Sequence, residues 1–128
     1  MEVVIARELP RLVPGLCAAY LFGSFGRGEE RADSDVDLGL LYGSPPAATL
    51  LDQPFLVAAE LESLLGRSVD IVVLDTAPVD LVHRVLRDGR LLLQPNPSAR
   101  IAFEVRARNE YFDLLPLLRR YRGAKEVA

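Results

Sequence analysis

The chain has 128 residues, half of them apolar, enough to bury one core and too few for two. Charged residues make up 26% and the formal net charge is -3, which excludes a disordered polyelectrolyte and a broad basic surface for free nucleic acid. Almost all the positive charge is arginine, with Lys125 the sole lysine.

The opening segment "MEVVIARELPRL" lacks the basic start, apolar core and small-residue cleavage site of a leader. No run reaches the roughly 18 apolar residues of a membrane span, so a soluble, cytoplasmic protein is expected. Cys17 is the only cysteine, which rules out an internal disulfide and a His/Cys metal cage. It reads as a buried, inert thiol. "CAAYLF" (17–22) predicts a strand, and the turn at Gly23 with Ser24 as N-cap predicts a short helix, weakened by Gly26 and Gly28. "VDLGLLY" (36–42) predicts a second strand with "PPAATLLDQP" as its exit. Val57, Ala58, Leu61, Leu64 and Leu65 then recur at helical spacing, closed by Gly66. "SVDIVVL" (68–74) is a third strand, "PVDLVHRVLRDG" a short helix ending at Gly89, and "RLLLQ" (90–94) a candidate fourth strand. His83, the only histidine, falls in that short helix and reads as a surface residue. From Ser98 to about Tyr121 runs the longest helix, with a kink expected at Pro116. It carries one apolar stripe of Phe103, Ala107, Tyr111, Leu114, Leu118 and Tyr121, and a second of Ile101, Val105, Phe112 and Leu115. One sheet does not need a face that wide, so the helix is either wedged between core and loops or meets another chain. Strands and helices alternate without repeat or linker, which predicts a single α/β domain over residues 1–128.

Chemistry concentrates at the strand ends. Residues two apart on a strand share a face, so Asp35 and Asp37 point together while Val36, Leu38 and Leu40 face the core. Two carboxylates about 7 Å apart along a strand repel when both ionise, and burial makes this worse unless a cation is present. Oxygen-only donors point to Mg²⁺ or Mn²⁺. Asp70 lies inside the third strand, where an unpaired acid is costly to bury; if the second and third strands are neighbours, it completes a triad able to hold two metals. Asp70 is then the general-base candidate. Gly23-Ser24 lets the backbone approach a ligand and supplies a hydroxyl beside amide groups, suited to nucleotide phosphates, and Arg27 is placed to add a charged contact. Each piece also has a plain reading: a turn with a capped helix, a polar loop, a solvated surface. Their conjunction favours phosphoryl-type chemistry.

Gly23-Ser24, ten residues, then Asp35-Val36-Asp37 reproduces the GSx10DxD pattern. With its small size and the tail "VLRDGRLLL…FEVRARNEYFDLLPLLRRY", the chain resembles the minimal nucleotidyltransferase (MNT) antitoxins of the DNA polymerase beta-like nucleotidyltransferase superfamily. The resemblance implies an α/β (α+β) fold with a mixed sheet of about four strands backed by helices and a long C-terminal helix. It implies that Gly23 and Ser24 hold the triphosphate and that Asp35, Asp37 and Asp70 bind Mg²⁺ and catalyse. It also implies ATP as donor and, as partner, a HEPN-domain toxin of a type VII-like toxin–antitoxin pair that receives AMP on a tyrosine, within a hetero-oligomer or beside a homodimer. A non-catalytic antitoxin that masks its toxin, and an antibiotic-type enzyme acting on a small molecule, are the competing functions.

Overall fold

The computed structural model describes residues 1–31, 33–44 and 53–127, with side chains through residue 123. The elements in chain order are α1 (Glu2–Leu12), β1 (Ala18–Phe22), α2 (Gly23–Arg27), β2 (Val36–Leu41), α3 (Gln53–Leu65), β3 (Val69–Val73), α4 (Val79–Asp88), β4 (Arg90–Leu93) and α5 (Pro97–Val127). Most of the expected exit segment after the second strand, residues 45–52, lies outside the described residues.

The sheet order is β3-β2-β1-β4. β1 runs antiparallel to β2 and β4, whereas β2 and β3 are parallel, so the sheet is mixed. The parallel pair is joined through α3, as a parallel connection requires a crossover. The two central strands are apolar almost throughout because both of their faces are covered. On one face Leu21, Leu38 and Leu40 pack with Ile5 and Leu9 of α1 and Leu61 of α3. On the other, Tyr20 and Leu41 pack with Val82 and Val85 of α4 and Phe103 and Ala107 of α5. The Tyr20 hydroxyl donates to Glu104 Oε1 at 2.5 Å, tying β1 to α5, and Arg100 pairs with the same carboxylate at 3.0 Å. Burial and this bond to a carboxylate push the Tyr20 phenol well above its usual range.

Helix α1 was not among the expected elements. Its signal is the i, i+4 recurrence of Ile5 and Leu9, both fully buried, continued by Val13 just beyond the helix end. Helix α3 begins at Gln53, four residues before the first periodic position, Val57. Helix α5 continues as α-helix through Pro116. Its first stripe is buried at Phe103 and Ala107, and the second is open to solvent except at the half-buried Leu115: Ile101 and Val105 are each 51% exposed and Phe112 is 65% exposed.

Candidate functional site

The site is built where β1 ends and β2 begins. Phe22 is the register partner of Asp37, and Asp37 is the register partner of Asp70, so the ends of three adjacent strands place Gly23, Asp37 and Asp70 in a row across the sheet. The condition that the second and third strands be neighbours is met. Asp37 shares its face of β2 with Gly39 and Leu41, hence with α4 and α5, opposite Val36, Leu38 and Leu40. Asp35 precedes the strand and is exposed; Asp70 is exposed on β3, an edge strand.

Gly23 sits directly on Asp37. Its φ of +64° is in the left-handed region, and a Cβ added there would lie 2.1 Å from Asp37 Oδ2, so only glycine lets the chain turn against the carboxylate. The turn leads into α2, whose N-cap is Phe22 and not Ser24; the seryl residue lies in the first turn, half-buried, and makes no capping bond. The expected cap fails because the helix starts at Gly23, two residues before a Ser24 cap would place it. At Gly26 a Cβ would meet the Leu21 carbonyl oxygen at 2.6 Å, so the short helix lies hard against the end of β1. Arg27 ends α2, exposed, with its Nε 3.1 Å from Glu29 Oε2.

Asp37 is half-buried, and its carboxylate accepts no hydrogen bond from a described residue. Its pKa is raised, first by burial, then by the negative charge of Asp70 and of Asp35; Arg27 partly offsets this. Asp37 therefore feels the negative charge of both other carboxylates. Among the described residues no three acidic, histidine or cysteine side chains already converge as a preformed metal cage. The donors nevertheless suit a hard divalent cation: all are carboxylate oxygens, and Asp37 is destabilised in its charged form.

One residue that holds this region was missed in the sequence. Arg67 donates from Nη1 to the carbonyl oxygens of Arg31 (3.1 Å) and Ser34 (3.3 Å), and its guanidinium lies 5.3 Å from the centroid of the Phe25 ring. The Val36 amide donates to the Ser68 carbonyl at 2.9 Å. The segment before β3 thus anchors the loop that delivers Asp35. No local pattern marks Arg67, because its partners are backbone carbonyls far away in sequence. His83 is not a bare surface residue: its ring stacks on Tyr111 with centroids 3.5 Å apart, beside a hollow of about 310 Å³ between α4 and α5 that contains none of the three acids.

No described helix is long and apolar enough to cross a membrane. The chain is 35% identical over 93 residues to the protein adenylyltransferase MntA of Shewanella oneidensis, a match spanning 71% of this chain and 63% of that relative. A solved structure described as a toxin–antitoxin with AMP-PNP superimposes with a TM-score of 0.82 at 27% identity, covering 99% of this chain and 98% of the other. A crystal structure of the toxin–antitoxin MntA–HepT does so with a TM-score of 0.75 at 25% identity, covering 99% and 97%. Residues 11–98, which carry the Gly-Ser turn and all three acids, match the model of the family described as polymerase beta, nucleotidyltransferase, and the chain belongs to that family.

Proposed function

We propose that residues 1–128 act as one minimal nucleotidyltransferase domain, an Mg²⁺-dependent protein adenylyltransferase that transfers AMP from ATP to a hydroxyl of a partner HEPN toxin, on a tyrosine, and so serves as its antitoxin. The observation that carries the reading is the row of Gly23, Asp37 and Asp70 across three strand ends, with Asp37 pressed on the glycine turn and left without a hydrogen-bond donor from the described residues. A structural acid in that position would be a liability; a ligand for a cation is not. The similarity to the MntA adenylyltransferase and to the toxin–antitoxin structure with AMP-PNP supports the donor, the acceptor class and the partner.

In this reading Gly23 and Ser24 receive the triphosphate, with Arg27 adding positive charge. The acceptor oxygen attacks the α-phosphorus of ATP, a new P–O bond forms, the bond to the bridging oxygen breaks, and pyrophosphate leaves. Asp70, exposed on the edge strand where a large acceptor can reach it, takes the hydroxyl proton. Mg²⁺, held by Asp35, Asp37 and Asp70, would neutralise phosphate charge and stabilise the leaving group. A second reading, masking of the toxin by binding alone, is favoured by the exposed stripe of α5 at Ile101, Val105 and Phe112.

Intact-mass spectrometry of the partner toxin after incubation with the chain, ATP and Mg²⁺ tests the proposal. The expected result is a gain of whole AMP units that Asp70→Asn abolishes. A stable complex with no mass gain would establish masking in its place.

A further inference from the structure

Beyond the three acids and the glycine turn lies a second small hollow of about 160 Å³, lined by Phe22, Gly23, Arg27, Leu81, Arg84 and Asp88. It extends the row of strand ends. The sheet order places Asp70 on β3, Asp37 on β2 and Gly23 at the end of β1, and the hollow opens on Gly23 from the side of α4. Adjacent strands are about 4.8 Å apart, so a phosphate chain that starts over Asp37 and Asp70 and runs across the sheet passes Gly23 and ends at this hollow.

The charges around it are not equivalent. Arg27 is engaged by Glu29 at 3.1 Å, and Asp88 by Arg87 at 2.8 Å. Arg84 makes no hydrogen bond or ion pair with a described residue. An arginine with no acidic partner, in a hollow that shares its glycine with the nucleotide turn, is suited to a phosphate, whose oxygens match the planar guanidinium fork.

We infer that Arg84 binds the non-transferred phosphates of the nucleotide and then the pyrophosphate that leaves. The inference rests on the nucleotide-binding reading of Gly23 and Asp37 and adds a residue from outside the Gly-Ser and Asp-x-Asp motif. Arg84 is exposed on α4, so its replacement leaves both apolar cores intact.

Calorimetric titration of the whole chain with ATP and, separately, with inorganic pyrophosphate, both with Mg²⁺, tests it. Loss of one charge-assisted bond corresponds to about a tenfold or greater fall in affinity. Arg84→Met is expected to weaken ATP and pyrophosphate by a similar factor of that size, and Arg84→Lys to restore part of it. Thermal melting of both variants at wild-type temperature confirms that the fold is kept, and a variant that melts early is replaced by Arg84→Gln. Unchanged affinity in Arg84→Met overturns the inference while leaving the nucleotide reading in place. Weakened ATP binding with unchanged pyrophosphate binding overturns the assignment to the terminal phosphates. Failure of the wild-type chain to bind either ligand removes the nucleotide reading itself, and this inference with it.

Discussion

Two acids stand at opposite ends of the β2 region and have opposite surroundings. Asp75 follows β3 and closes the far end: its two carboxylate oxygens accept the backbone amides of Tyr42 and Gly43, each at 2.9 Å. Asp37, near the start of the same strand, accepts no bond from a described residue and has Asp35 and Asp70 for neighbours. An acid that serves the fold is given donors; an acid kept among other acids is held at an electrostatic cost, which the proposed cation would relieve.

That contrast is broken most severely by Asp37→Asn, which is expected to lower AMP transfer by about 10²- to 10³-fold, read as the rate of mass gain on the toxin. The same substitution should raise stability. The folded-state pKa of Asp37 lies above its unfolded value. Between the two values the native chain binds more protons than the unfolded chain, so stability falls as pH rises through that interval and the ionised group is a net cost at neutral pH. In metal-free buffer at pH 7 Asp37→Asn should melt above wild type, the gap closing on acidification below the ordinary carboxylate pKa. A lower melting temperature at pH 7 would show that the carboxylate is satisfied in the fold. Gly23→Ala comes next. Its methyl group would lie 2.1 Å from Asp37 Oδ2 and its backbone is strained at positive φ, so displacement of the carboxylate should cost about 10²-fold in transfer. The smallest effect sharpens the other half of the contrast. Asp75→Ala should leave ATP binding unchanged and lower the unfolding free energy by about 1–2 kcal/mol in urea titration, because two amides lose their acceptor.

Much of this architecture was legible in the chain because the central strands are short apolar runs cut off by glycine or acid. Ala18–Phe22 and Val36–Leu41 could be read on hydrophobicity alone, and the spacing from Gly23-Ser24 to Asp35 and Asp37 places the site at their adjoining ends. Pairing of Asp70 with Asp37 was only conditional in the sequence, since strand neighbours are a property of topology. Helix α1 has a weak signature in the sequence. Its buried positions, Ile5 and Leu9, are too few to stand out in an 11-residue segment containing Pro10. Arg67, Asp75 and Arg84 escaped for a shared reason: their significance comes from backbone carbonyls, amides or a hollow contributed by residues distant in sequence. The stacking of His83 escaped similarly, because its partner, Tyr111, lies on another helix.

The strand pairing also orders how the site is assembled. Gly23, the residue after β1, and Asp37 of β2 are brought together by an antiparallel pair whose contacts span a short stretch of chain, so they can meet at a small loop-closure cost. Asp70 joins only after α3 has carried the chain across to the parallel position, and β4 must return to the other side of β1 before the sheet is complete. Pairings over longer separations form more slowly. The glycine turn and its carboxylate thus depend on a local pairing and Asp70 on a longer-range one, so under the proposed roles the residues assigned to phosphate can come together before the residue assigned as base.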